Sequence, residues 1–134
     1  MNTGIVQLLM SHGIRASLQR IEVMAVLQAS RHHPTVEMVY SVLHPAFPTL
    51  SRTTVYQALE LFCAKGAARR ILSGDGEMRF EANTSAHGHF QCLKCAQIFD
   101  FPYAKNTKLP VPTGSFKILS QHLYYQGLCP SCGG

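Results

Sequence analysis

The sequence predicts an α+β chain in two parts, an N-terminal winged helix-turn-helix and a small C-terminal α/β domain stapled by zinc. Three observations predict it. Short helical segments with clear end signals run to about Ala67, a glycine-rich turn between two strand-like runs follows them, and two Cys-x-x-Cys pairs lie among short strand-like pieces beyond. The length of 134 residues suits one ordinary domain or two small ones. With 14% charged and 46% hydrophobic residues, the chain is too apolar for intrinsic disorder and too interrupted for a membrane span.

The first helix holds Ile5, Val6, Leu8, Leu9 and Met10 and closes at Gly13. It has no basic lead, which suits an amphipathic helix better than a signal peptide and makes the cytoplasm the expected compartment. A second helix starts after Ser17, an N-cap residue, and runs through Ile21, Val23, Met24, Val26 and Leu27, apolar on most sides and therefore central. The run His32-His33-Pro34-Thr35 breaks the chain, and Thr35 can cap a third helix whose Val36, Val39, Tyr40 and Leu43 recur at helical spacing. Pro45 and Pro48 end it. Ser51 caps a fourth helix that closes near Gly66, with Val55, Ala58, Leu59 and Phe62 on one face. Arg52, Thr53, Tyr56, Gln57 and Glu60 form the opposite face and are free for a partner. Ala67 to Leu72 and Glu77 to Ala82 flank Ser73-Gly74-Asp75-Gly76 and read as a hairpin. A short linker near Asn83 to Ala86 leads to strand-like pieces at His89 to Gln91, Ile98 to Phe101 and Phe116 to Tyr125.

Cys92-Leu93-Lys94-Cys95 and Cys129-Pro130-Ser131-Cys132 are separated by 33 residues, a pattern that suits a tetrahedral zinc site built from two knuckles. The competing reading is a redox dithiol, which wants a strand before it and a helix after it. A region of this size buries too little apolar surface to stand alone, so a staple fits. Cys63 sits beside the apolar stripe of the fourth helix and reads as a small buried hydrophobe.

A second cluster has mixed donors: His33, Glu81, His87, His89 and Asp100. On an extended segment His87 and His89 face the same way and form a clip, although such a pair taken alone can equally be ordinary surface residues. Nitrogen and oxygen donors together suit iron, manganese, zinc or nickel. Zinc deaminases pair His-x-Glu with Pro-Cys-x-x-Cys, whereas here Gly88 and His89 follow His87 and the proline lies inside the second pair. No P-loop, dinucleotide-binding glycine pattern or Ser-His-Asp signature is present, so an enzyme is not expected.

Gly13-Ile14-Arg15 with Gln19-Arg20, His33-Pro34-Thr35, Ser51-Arg52-Thr53-Thr54-Val55-Tyr56, Arg79-Phe80-Glu81, His87-Gly88-His89 and Cys92-Leu93-Lys94-Cys95 follow one another at a particular spacing. In order and spacing they resemble the ferric uptake regulator family, from about Gly13 to Cys132. The resemblance implies a winged-helix DNA-binding domain over 1–82, a hinge at 83–86 and a zinc-containing dimerisation domain over 87–134. It implies structural zinc on Cys92, Cys95, Cys129 and Cys132. It also implies a regulatory metal, ferrous iron or else manganese or zinc, on His33, Glu81, His87, His89 and Asp100. The partners implied are a second copy of the chain and a palindromic double-stranded DNA operator, with no membrane. Tyr56, Gln57, Ser51, Arg52, Thr53 and Thr54 would face the major groove, with Arg15 and Arg20 near the DNA backbone. Lys65, Arg69 and Arg70 read as solvated charges, and the net charge of +5 is compatible with an anionic partner.

Some members have a further metal site, whose positions here resemble Ala86, Gly88 and Gln121 with His122 one place off, so that site is not expected. His12, His32 and His44 match no ligand pattern. The stretch from Pro102 to Gly114, an amphipathic dimerisation helix in many members, is proline-broken here. Asp100 resembles the peroxide-sensing branch and Glu81 the iron-sensing branch. Peroxide sensing through the hinge metal is the expectation, with sensing of iron or another divalent metal as the alternative. A zinc-stapled nucleic-acid-binding module without a regulatory metal and a small metalloenzyme are the readings from other classes.

Overall fold

The computed structural model describes residues 3–30, 33–104, 106–119 and 121–133. The chain divides into two compact units, Met1–Thr84 and Ser85–Gly134. No helix among the described residues is long and apolar enough to cross a membrane.

The first unit opens with α1 (Thr3–Ser11), α2 (Leu18–Ala29), α3 (Val36–Leu43) and α4 (Arg52–Ala64). Each expected cap does its work: Ser17, Thr35 and Ser51 accept hydrogen bonds from the backbone N–H groups of Arg20, Met38 and Thr54, respectively. Those bonds satisfy amides that have no partner inside their helices. The core runs from Ile5 and Leu9 of α1 through Val23, Met24 and Leu27 of α2 to Val39, Val55, Leu59 and Phe62. As expected from its apolar sides, α2 packs against α1, α3 and α4.

At the end of α4, Gly66 takes φ = 78°, and the amides of Ala67 and Ala68 both turn back to the Phe62 carbonyl. Those two residues belong to the helix stop, so β1 (Arg69–Leu72) begins later than the apolar run suggested. It pairs antiparallel with β2 (Met78–Glu81) in the register Arg69 with Glu81 and Ile71 with Arg79. Four helices followed by this hairpin form the winged helix-turn-helix.

In the second unit, β3 (His87–Cys92) lies centrally between β4 (Ile98–Pro102) and β5 (Tyr124–Gly127). The first pairing is antiparallel and the second parallel. Expectation placed the last strand at Phe116 to Tyr125. Instead β5 starts at Tyr124, because pairing with β3 begins there, and Phe116 and Leu119 are exposed outside any strand. A helical turn, α5 (Pro130–Gly133), follows. Among the described residues of this unit, the buried apolar side chains are Cys92, Ile98 and Cys129, so the unit has almost no hydrophobic core of its own.

Candidate functional site

The topology of the second unit brings the four paired cysteines together. The β3/β5 register sets Cys92 opposite Gly127, and the Leu93 amide donates to the Gly127 carbonyl at 2.7 Å. Cys129, two residues on, therefore arrives beside the first knuckle. The chain reverses after Cys95 through Ala96, at φ = 64°, and returns as β4. Among the described residues no helix follows the first pair, whereas the second pair follows β5 and opens the single turn α5; it is the meeting of both pairs at one point that favours a shared metal over a separate redox dithiol.

The four sulfurs lie within 4.8 Å of one another, with Cys95 and Cys129 Sγ 4.0 Å apart. A tetrahedral zinc with bonds of about 2.3 Å holds its sulfurs about 3.8 Å apart, whereas a disulfide needs about 2.05 Å. All four cysteines are unbridged. Their protonation is split. Backbone N–H groups, first that of Cys95 and then that of Cys129, pull the Cys92 thiol down to about 6. The Cys132 thiol is pushed up to about 12, first by its bond with the Cys129 sulfur and then by burial. Four sulfurs at this spacing ionise together only around a cation, and the quartet fits a structural zinc.

The His-x-His segment forms the expected clip on β3. The rings of His87 and His89 meet edge to face at 4.6 Å, and both are buried. Gly88 between them faces the other way, with the Phe101 ring packed so closely that an added Cβ would come within 2.2 Å of it. His87 Nδ1 lies 2.6 Å from the Ser85 carbonyl oxygen, which can only accept, so Nδ1 carries the proton and Nε2 is left for another partner. Both Nε2 atoms face one oxygen, Asp100 Oδ1, at 3.7 Å from His87 and 3.5 Å from His89. These gaps exceed a direct hydrogen bond. For neutral imidazole the His87 lone pair faces the carboxylate's, an arrangement relieved by a cation between them.

The first unit carries a second, smaller donor set. His33 Nε2 lies 3.2 Å from Glu81 Oε2, and both side chains are buried. His33 has φ = 53°, and strand β2 holds its segment in place: Arg79 Nη1 donates to the His33 carbonyl at 3.3 Å and the Phe80 amide to the Pro34 carbonyl at 3.0 Å. Arg69, expected as a solvated charge, is half-buried with Nε 4.0 Å from Glu81 Oε1, because the β1/β2 register places it directly opposite. The two sets, of imidazole and carboxylate, fit ferrous iron or manganese better than the thiolate quartet does.

On the outer side of α4, Tyr56 is 48% exposed and Thr53 and Gln57 are exposed with it. Arg15, Arg20, Thr54 and Gln57 line one open cavity of about 290 Å³, together with Ser17 and Gln19. Arg20 donates to the Arg15 carbonyl at 2.8 Å, which fixes its direction. Ser51 is occupied as a cap and bonds the Thr54 hydroxyl at 2.9 Å. Arg52 makes a forked pair with Glu37, at 2.6 and 3.0 Å, and lies over the Tyr40 ring. Sequence reasoning missed that pair and the role of Arg79. The alternation of Arg79 with Glu81 on one strand was the available signal for the second. His12 bonds the Lys65 carbonyl at 3.0 Å and His44 stacks on Tyr40, both at helix ends, while His32 lies outside the described residues. Arg70, exposed as expected, pairs with Glu60 at 3.0 Å.

Residues 11–126 match the model of the ferric uptake regulator family. The peroxide-responsive repressor PerR of Staphylococcus epidermidis is 33% identical over 123 residues, spanning 90% of this chain and 82% of that protein. The ferric uptake regulator of Vibrio cholerae superposes with a TM-score of 0.70 at 25% identity, covering 92% of this chain and 98% of that one. That of Helicobacter pylori, described as having three functional metal-binding sites, superposes with a TM-score of 0.75 at 20% identity, covering 100% and 95%. The match over most of the length, with a relative at this identity, establishes that the chain belongs to the ferric uptake regulator family.

Proposed function

We propose that the chain is a dimeric, metal-dependent DNA-binding repressor that senses peroxide. In this reading His33 and Glu81 of the first unit and His87, His89 and Asp100 of the second take the same regulatory ion. Each unit offers an incomplete donor set, two groups on one and three on the other, so one ion shared by both ties the units together. Loss of the ion then frees the two DNA-reading helices of a dimer from a fixed spacing, and half-sites on a palindromic operator are no longer matched. Tyr56 and Gln57 read base edges, and Arg15 and Arg20 sit against phosphates. The exposed Phe116, Leu119, Tyr125 and Leu128 supply apolar surface for a second copy.

The observation that carries this reading is the convergence of two Nε2 atoms on Asp100 Oδ1, with the His87 tautomer set by Ser85. The similarity to a peroxide-responsive repressor supports peroxide as the signal. A ferrous ion held there would supply the electron that cleaves hydrogen peroxide. The protein's part is to keep His33 and His87 at the ion, where an added oxygen on either imidazole spoils a donor. Iron-loaded protein treated with stoichiometric peroxide and digested for mass spectrometry tests this directly. Oxygen on His33 or His87 is the expected result. An unmodified chain that nonetheless binds DNA only when iron is present would assign the sensor to iron availability instead.

A further inference from the structure

We infer that Arg79 is a positioning residue for His33 and couples the regulatory ligand to the turn of the β1–β2 hairpin. The inference rests on the proposed role of His33 as a ligand. His33 stands in the left-handed region at φ = 53°, directly before a proline, a conformation that a non-glycine residue keeps only where its surroundings hold it. Strand β2 supplies three holds in succession: the Arg79 guanidinium on the His33 carbonyl at 3.3 Å, the Phe80 amide on the Pro34 carbonyl at 3.0 Å, and the Glu81 carboxylate 3.2 Å from the His33 ring. Of these, only Arg79 links His33 to a part of the molecule away from the ligands.

The other arm of that guanidinium faces the hairpin turn. Arg79 Nη2 lies 3.7 Å from Asp75 Oδ2 and 3.8 Å from Glu77 Oε2. Asp75 is in turn fixed: Ser73 Oγ and the Glu77 amide donate to its Oδ1, and the Ser73 hydroxyl also donates to the Glu77 carbonyl. Those bonds, the Ser73 hydroxyl first, hold the Asp75 carboxyl below its ordinary value and keep it ionised opposite Arg79. The buried guanidinium bonds the carbonyl on one side and faces two exposed carboxylates at ion-pair distance on the other, and lysine, with one ammonium, cannot span both ends. Movement of the turn is therefore transmitted to the His33 backbone, and ordering of His33 by an ion is transmitted back, by the reciprocity of coupled equilibria.

The test uses the full-length, zinc-loaded chain and manganese as the probe ion. Arg79→Met is expected to weaken manganese binding by about tenfold or more, the worth of a hydrogen bond from a charged donor, with Arg79→Lys recovering only part. Asp75→Asn combined with Glu77→Gln leaves every ligand and Arg79 in place. It is expected to weaken manganese binding several-fold while zinc content and thermal midpoint stay at wild-type values. In wild type, manganese should slow hydrogen–deuterium exchange at the backbone amides of residues 74–77, read by mass spectrometry, and in Arg79→Met it should not. In metal-free protein, the His33 ring resonances should broaden in both variants. Wild-type manganese affinity in the Asp75→Asn/Glu77→Gln chain, with hydrogen exchange of the turn amides unchanged by manganese in wild type, overturns the inference even if Arg79→Met fails to fold. Failure of wild type itself to bind a second divalent ion would sink the proposed function instead.

Discussion

Replacing Cys92 by serine should unfold the second unit and leave the first intact. Cys92 is fully buried at the end of β3, its sulfur accepts the Cys95 amide at 3.4 Å, and the register places it against the segment that carries the second pair. The size of the effect follows from how little else holds the unit. Ile98 is the one buried apolar side chain there that is not a cysteine, among the described residues, and its burial is worth about 2–3 kcal/mol. Structural zinc contributes about 10–16 kcal/mol in small zinc-dependent folds, several times as much. A sheet of three short strands cannot survive that loss. The first unit has its own core from Ile5 to Phe80 and takes none of its buried side chains from the zinc site. Two-dimensional amide spectra of the full-length variant, with zinc counted by mass spectrometry, separate the two units. Resonances of residues 85–133 should collapse to unfolded positions while those of 3–30 and 33–84 stay dispersed. A Cys92→Ser chain with one zinc per protomer and both units dispersed would refute the reasoning.

Three further outcomes follow from single contacts. Gly88→Ala should lower the unfolding free energy by about 1–3 kcal/mol and weaken manganese binding, since the added Cβ meets the Phe101 ring at 2.2 Å behind the histidine clip; an unchanged urea midpoint contradicts this. Burial holds the Cys63 thiol above its ordinary value, outweighing the Arg70 contact, so at pH 8 it should alkylate far more slowly in folded protein than in urea. The same sign makes its contribution to stability complete below the unfolded thiol's pKa and lost as pH rises past it, and equal alkylation rates in the two states would be inconsistent with that environment. Tyr56→Ala should weaken operator binding by about tenfold with no change in metal content or thermal midpoint, because the ring is exposed opposite the core stripe; full affinity would remove Tyr56 from the DNA-reading face.

What the sequence made legible is what local chemistry decides. Ser17, Thr35 and Ser51 each announce a helix start because a short side-chain oxygen must meet an amide three residues on, and Gly66 announces a stop because it can take a positive φ. The cysteine pairs and the His-x-His clip are legible because the short spacing within each puts its donor atoms on one side of the chain. The position of β5 was not, since a parallel partner 35 residues away in the register, Tyr124 with His89, leaves no local mark. Neither was the hold of Arg79 on His33, because a backbone carbonyl as acceptor has no residue type to recognise. The Arg52 pair with Glu37 escaped for a related reason: both residues are exposed and 15 apart in the chain, and Arg52 reads as a DNA contact.

The central claim is that a second, removable metal ion sets DNA affinity in a chain already holding its zinc. A palindromic duplex selected from a random pool with manganese-loaded protein provides the ligand, and fluorescence anisotropy at fixed salt provides the affinity. On chelation that removes manganese and leaves one zinc per protomer, affinity should fall by at least about tenfold and recover when manganese returns. Equal affinity with and without that ion, at constant zinc, would contradict the account.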